Sequence, residues 1–356
     1  PASSRYGGSS HGGTGGDRDY TIQNVIYGSI TRPILFGSRN LRNTNKGGGA
    51  LRIVASSSVV VEKSGSISAN GGGGYDGRYE GGASGGSLLI ETPILKLGGM
   101  VSANGGDTSA VGRSQSGGGG GGRIAIHTRS LIWLESGSGS SSSTSSSASL
   151  LVNGGRRICT NDCYPGTPGT TYINTSMLAD LDLIIPDGAT MAGLVSLEED
   201  VPWKSIVVNF GGVLIVDNGW SGDSSGIILK VIGNVLVRGE MKFHGATIVC
   251  EHLNVTGHLN GDDMIGDQGL GGSPAAESGS SHGGFGGDHH GTRLGSKIIY
   301  GSISRPILFG SPVSNFNKGG GAVRIIASNS VAVEKGGFIT ANGGGGWVGV
   351  GACSGA

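Results

Sequence analysis

Two stretches, NKGGGALRIVASSSVVVEKSGSISANGGGG from Asn45 and NKGGGAVRIIASNSVAVEKGGFITANGGGG from Asn317, lie 272 positions apart. Their differences are not spread evenly. Leu51/Val323, Ile53/Ile325, Ala55/Ala327, Val59/Val331, Val61/Val333, Ile67/Ile339 and Ala69/Ala341 stay apolar at alternate positions, while Ser57/Asn329, Val60/Ala332, Ser64/Gly336 and Ser68/Thr340 vary. Apolar residues at every second position mark strands with one buried face. Both copies are thereby confined to β structure.

The repetition extends beyond these strands. SSHGGTGGD from Ser9 is answered by SSHGGFGGD from Ser280, and YGSITRPILFGS (27–38) by YGSISRPILFGS (300–311), with Thr31 becoming Ser304. The chain therefore holds one full unit and the first third of the next. It opens at Pro1 without an initiator Met and stops in GACSGA, and is read as a piece of something longer. The near identity of the twelve-residue pair predicts that Arg32, Pro33 and Phe36, with Arg305, Pro306 and Phe309, form a fixed crossing between stacked elements or subunits.

A shorter motif recurs inside the unit: ISANGG ends at Gly72 and VSANGG at Gly106, each after short apolar runs and before a glycine-rich excursion. Short strands that return to a similar pattern describe coils of one solenoid. A single coil cannot cover its own apolar face, whereas stacked coils cover one another. With 75 Gly and 5% aromatics the chain is poor in helix formers, and no i, i+3, i+4, i+7 stripe appears. The fold class expected is all-β, a parallel β-helix or β-solenoid of short strands with long Gly-rich loops and almost no helix. At runs such as GGGGGGR (117–123), bundled polyproline-II strands are the alternative to β-coils.

Texture divides the chain into four parts. Residues 1–134 form a Gly-rich solenoid, the first repeat copy; 135–179 are a Ser-rich and Pro/Gly loop insert holding CTNDC. Residues 180–262 are a Val/Ile-rich solenoid segment with shorter turns, and 263–356 a Gly-rich linker and the start of the second copy.

Formal charge is zero and basic residues are scattered, which removes the footprint of a nucleic-acid binder. No apolar run reaches the length of a membrane span. Cys159 and Cys163 are spaced for a loop disulfide, with Cys250 and Cys353 unassigned and a reduced set as the alternative. Asn174 and Asn254 open N-glycosylation sequons, and in HLNVTGHL the alternation turns Leu253 and Val255 inward and Asn254 and Thr256 outward. Cysteines and sequons together point to an extracellular protein carrying covalent glycans.

GGTGGDRDY and GGFGGDHHG resemble calcium-binding nonapeptides, with Asp17 and Asp288 as ligands, but Asp19 and His290 stand where that motif has an apolar residue. A glycine-rich corner with a capping Asp is the preferred reading, so no metal or other cofactor is expected. NKGGGA and GGGGGGR lack the GK[ST] ending of a phosphate loop. Asp180 and Asp182, two apart on one strand, have a spacing that would suit a β-helix polysaccharide hydrolase or lyase, yet any wet strand face gives the same geometry. The chain is expected not to be an enzyme.

The order SHGGxGG, YGSxxxPxxxGS, GGGAxRIxA, ISANGG, GGASGGS and GGGGGGRIAI, over residues 7–128 and again from Ser280, resembles the glycine-rich repeats of microbial cell-surface and flagellar-hair (mastigoneme-like) proteins. The stretch from IPDGATMAGLVSL to GGVLIVDN is loosely similar to G8-type β-solenoid modules. The resemblance implies an extracellular, non-enzymatic structural role: a repeat segment of a long solenoid that polymerises, with itself or related repeat subunits, into a surface filament or hair. An adhesin or carbohydrate-binding stalk is the alternative.

Overall fold

The computed structural model describes residues 7–16, 25–39, 45–74, 81–108, 117–134, 148–156, 165–178, 182–195, 197, 200–217, 228–244, 246–262, 319–321 and 323–343. Within them run nineteen strands and one 3-10 turn, Thr175–Met177. The first copy supplies β1 (Ala50–Val54), β2 (Ser58–Val61) and β3 (Ser66–Ser68). Next come β4 (Ser87–Leu97), β5 (Met100–Ser102), β6 (Arg123–Trp133), β7 (Ser149–Leu151), β8 (Thr170–Ile173), β9 (Asp182–Ile185) and β10 (Thr190–Val195). The Val/Ile-rich segment gives β11 (Ser205–Val208), β12 (Val213–Asp217), β13 (Ile228–Lys230), β14 (Asn234–Val237), β15 (Glu240–His244), β16 (Thr247–Val255) and β17 (His258–Asn260). The second copy supplies β18 (Arg324–Val333) and β19 (Phe338–Thr340).

Every strand pairing is parallel, and the order follows the chain, so the fold is the expected all-β parallel solenoid. One line of short strands runs without a break: β3, β5, β7, β10, β12, β15, β17 and β19. A coil has two further strand positions, filled by β1 and β2, by the two halves of β4 and of β6, and by the two halves of β16 and of β18. The stretch 135–179 contributes two of the rungs, β7 and β8, because Leu150 and Ile173 point into the same core as their neighbours. The serine run 135–147 lies outside the described residues.

The core is one column of side chains. Leu88 and Ile90 of β4 lie over Ile124 and Ile126 of β6, and Leu95 and Leu97 over Leu131 and Trp133, while along the line of short strands Val101, Leu150, Met191, Leu214, Met241 and Leu259 stack into the same core. Alternation places Leu253 and Val255 in this core, with Asn254 and Thr256 outward and half-buried. Burying a Leu or Ile side chain stabilises by about 1.5–3 kcal/mol, so each rung adds its share only when a neighbour covers it.

Glycine-rich segments fill a different lattice beside the strands. The amide N–H groups of Gly119, Gly120, Gly121 and Gly122 donate in turn to the carbonyls of Gly106, Ser9, Thr167 and Ala103, at 2.9, 2.8, 2.9 and 2.6 Å. The first and fourth return to the same neighbouring segment. Three residues per turn with bonds fanning to different neighbours is the polyproline-II geometry, here bundled as polyglycine. Period three recurs where Gly82 and Gly85 donate to Gly117 and Gly120, and where Gly13 and Gly16 donate to Gly121 and Gly118. A side chain at such a place has nowhere to go: the Cβ of an alanine at 121 would fall on the Val152 carbonyl and the Gly169 nitrogen.

Candidate functional site

Three features stand apart from the repetitive core: a crossing segment, a buried polar knot beneath it, and two sheet edges at the ends of the stack. The crossing is YGSITRPILFGS itself. Ser87 Oγ donates to the Leu35 carbonyl (2.6 Å), Arg123 Nε to the Tyr27 carbonyl (3.0 Å), and His127 Nε2 bonds the Thr31 carbonyl (2.7 Å). Residues 27–38 therefore lie across the outward faces of β4 and β6. Beneath them Leu89 and Ala125 face outward yet are buried. The segment is closed on itself, because the Tyr27 hydroxyl donates to the Phe36 carbonyl (2.7 Å) and bonds Ser38 Oγ (2.9 Å).

Arg32 Nη2 pairs with Glu91 Oε1 at 2.7 Å, and Arg52 takes the other oxygen at 2.6 Å. The Arg52 and Arg32 hydrogen bonds hold the Glu91 carboxyl below its ordinary range. Pro33 is buried, whereas the Phe36 ring is 70% exposed and only its backbone is engaged. Arg305, Pro306 and Phe309 lie outside the described residues.

Under the crossing sits the polar knot. Arg123 is buried, with Nη1 donating to Thr170 Oγ1 at 2.9 Å in addition to its bond to Tyr27. His11 is fully buried, its Nδ1 2.9 Å from the Gly85 carbonyl and its ring 4.6 Å from that of Tyr27. Because Nδ1 faces a carbonyl, it carries the proton, and Nε2 is left without a hydrogen-bond partner. Burial pushes His11 down to about 4 and Arg123 down to about 10, and raises the Tyr27 hydroxyl. The knot pins the crossing to the polyglycine bundle by neutral and singly charged hydrogen bonds.

Asparagines form a ladder at one corner. Asn70 Oδ1 accepts from the Asn104 amide (2.7 Å), and Asn104 Oδ1 from the Asn153 amide (2.8 Å). The NGG corners of ANGG (69–72 and 103–106) and VNGG (152–155) therefore stack, each side chain bonding the backbone of the next coil.

The two sequence copies occupy opposite ends of the stack. Among the described residues, β1 to β3 pair with β4 and β5 along one edge, and β18 and β19 with β16 and β17 along one edge. Core-facing residues there are left half-covered: Leu51 is 43% exposed, Val331 50% and Val333 49%. The same turn follows in both copies, with Ser64 at φ 65° and Gly336 at φ 91°.

The remaining sequence candidates fall as follows. Asn174 caps the 3-10 turn, its Oδ1 accepting from Ser176 and its Nδ2 donating to His127 Nδ1 (3.1 Å). Asn254 lies outward on β16, its Nδ2 donating to Glu334 (2.7 Å). Cys250, left unassigned above, is a free thiol buried on the inner face of β16 beside Ala327, and burial raises its pKa. Asp182 accepts from Ser205 Oγ (2.6 Å) and lies 3.4 Å from Lys204 Nζ, the arrangement of a structural carboxylate. Asp17, Asp180, Asp288, Cys159, Cys163 and Cys353 lie outside the described residues.

Among the described residues no group of three or more His, Cys, Asp or Glu is placed to hold a metal, and no helix is long and apolar enough to cross a membrane. Sequence reasoning did not single out His11, Arg123 or the asparagine ladder. The ladder alone left a signal, in the recurrence of Asn before paired glycines. Comparison with family models, curated proteins and solved structures returns no match to this chain.

Proposed function

We propose that this chain is a structural unit of a long extracellular β-solenoid that builds a surface filament or hair. One observation carries the reading: a sequence and its repeat stand at opposite ends of one continuous parallel stack, so the unit ends in the coil with which it began. A unit of that kind extends by translation. The described surface agrees with a load-bearing role, since its polar side chains are spent on ladders, ion pairs and corner bonds.

Glycans at Asn174 and Asn254 and secretion belong to the same proposal. Glycopeptide mass spectrometry of material from the native source tests them. The filament itself is tested by electron microscopy and fibre diffraction of concentrated protein. Filaments with an axial spacing of about 4.8 Å are expected. A strictly monomeric protein at every concentration, in material that shows no filaments at its source, would refute the reading.

A further inference from the structure

An Asn followed by Gly is a chemically labile pair, because no side chain shields the glycine nitrogen from the Asn carboxamide. The described residues hold this pair at Asn70, Asn104, Asn153, Asn260 and Asn342. At the stacked NGG corners the glycine cannot be given up: a Cβ at 71, 105 or 154 would fall on the carbonyl of Ala83, Gly119 or Gly166. The fold therefore keeps the labile pair and guards it by other means.

Two kinds of hydrogen bond do the guarding. The Gly71 N–H donates to the Asn104 carbonyl and the Gly105 N–H to the Asn153 carbonyl, both at 2.8 Å, so neither nitrogen is free to attack. The carboxamides are held as well, since Asn70 Oδ1 accepts from the Asn104 N–H and Asn104 Oδ1 from the Asn153 N–H. Asn260 is guarded in the same two ways: the Gly261 N–H donates to the Thr340 carbonyl (2.8 Å), Oδ1 accepts from the Asp262 N–H, and Nδ2 donates to Glu240. Asn342, on the outermost described rung, is tied to Asp262 through its N–H and Nδ2.

Asn153 has neither guard. Among the described residues nothing accepts from the Gly154 N–H, and nothing bonds the Asn153 carboxamide. The cause is the path of the next coil. β10 stacks on β7 at Thr190 and Met191, then turns at Gly193 (φ 71°) and pairs with β8 through Leu194 and Val195. A Cβ on Gly193 would meet the Val152 side chain and the Gly169 carbonyl, so this coil cuts across the corner. It supplies no N–H to the Asn153 carboxamide and no carbonyl to the Gly154 nitrogen. Exposure does not make the difference, because Asn70 and Asn153 are both exposed.

We propose that Asn153 is a modification site of the folded chain, converting to aspartate and isoaspartate with water as the only co-reactant. The Gly154 nitrogen gives up its proton to water and forms a bond to Asn153 Cγ. The Cγ–Nδ2 bond then breaks, and that nitrogen takes up a proton and leaves as ammonia. Water opens the resulting five-membered imide at either carbonyl: attack at Cγ leaves aspartate, and attack at the backbone carbonyl leaves isoaspartate. No oxidation or reduction is involved. An acid can serve in such a corner, since Asp262, which stands beside Asn342 in the register of β17 and β19, accepts from the Asn342 N–H. Aspartate at 153 therefore adds negative charge without a lost bond, whereas isoaspartate lengthens the main chain of that corner.

The test incubates the full folded chain in mildly alkaline buffer and follows each Asn by peptide mass mapping, with enzymatic methylation of isoaspartate as a second readout. Asn153 is expected to convert about tenfold or more faster than Asn70 and Asn104, since each guarding bond that must open first slows ring closure by about tenfold. In urea the guards are gone and the three NGG corners share their local sequence, so their rates should converge. Equal rates at the three positions in the folded chain, or faster conversion at Asn70 or Asn104, would overturn the proposal. So would an Asn153 that stays intact in the folded chain over the time in which the urea-unfolded chain converts.

Discussion

Three glycines separate crowding from backbone conformation as reasons for the glycine content. At Gly121 a Cβ would fall between the Gly169 N–H and the Val152 carbonyl, which bond at 2.6 Å. The adjoining Gly121 N–H is itself committed to Thr167 at 2.9 Å. Gly121→Ala must push two segments apart. The Gly169 N–H and the Val152 carbonyl left unsatisfied cost about 1–3 kcal/mol each, and overpacking adds about 1–3, so a loss of about 3–9 kcal/mol is expected. At Gly336 no atom lies near a Cβ, but φ is 91°, so Gly336→Ala costs about 1–2 kcal/mol from conformation alone. Gly49 has open space and no positive φ, and Gly49→Ala should gain about 0.4–1 kcal/mol through the unfolded chain. Urea unfolding gives the ranking, and hydrogen exchange of the 119–122 amides shows whether the loss is local, as a stack of coils requires. If Gly121→Ala costs no more than Gly336→Ala, the polyglycine bundle is not what the glycines are for.

Further outcomes follow from single residues. Ser64 holds the left-handed place that Gly336 fills in the second copy, so Ser64→Gly should raise stability by about 0.5–1 kcal/mol in urea titrations. His11 is held neutral to about pH 4, while an unfolded histidine protonates near 6.5. On acidification the unfolded state takes up the proton first, so up to about 3 kcal/mol is lost between pH 6.5 and 4 and no more below. Unfolding curves of wild type and His11→Asn should converge across that window; parallel curves would contradict the buried neutral imidazole. Glu91 has its pKa lowered, so its contribution is present above the unfolded carboxylate pKa and fades as pH falls through the folded one. With both arginines largely exposed, Glu91→Gln should cost about 1 kcal/mol or less and become nearly neutral in high salt.

The period-two alternation at Ile53, Ala55, Val59 and Val61 made the strands legible, because a half-buried strand must repeat every two residues. The ANGG recurrence made the coils legible. What stayed hidden has a common cause: it depends on which coil lies beside which. Ser149-Leu-Leu and Thr170-Thr-Tyr-Ile are too short to show a period, and become rungs only through Val101 below and Met191 above, or through Ile124 and Ile126. Arg123 at the end of a glycine run looks like a surface cation. It is buried because Tyr27, ninety-six positions away, is laid over it. The close repetition of the twelve-residue pair has a more local cause: Tyr27, Ser29 and Ser38 bond within the segment and Arg32 reaches Glu91, bonds that a substitution would break, whereas strand residues tolerate any apolar side chain of similar volume.

The division of labour between strands and polyglycine bears on how the stack resists opening. β-rungs bond only to the rung before and after, so along the stack the sheet is a chain of serial contacts. The polyglycine bundle bonds in three directions, and ties segments far apart in the sequence across neighbouring rungs: Ser9 to Gly82 and Gly120, Gly13 to Gly121, Thr14 to Thr167. Opening one rung among β4, β6 and β8 therefore requires breaking lateral bonds held by neighbours that have not opened. The β11 to β17 rungs lack this brace among the described residues, and rely on Val, Ile and Leu packing instead. A unit built this way has a stiff, cross-braced third beside a more compliant one.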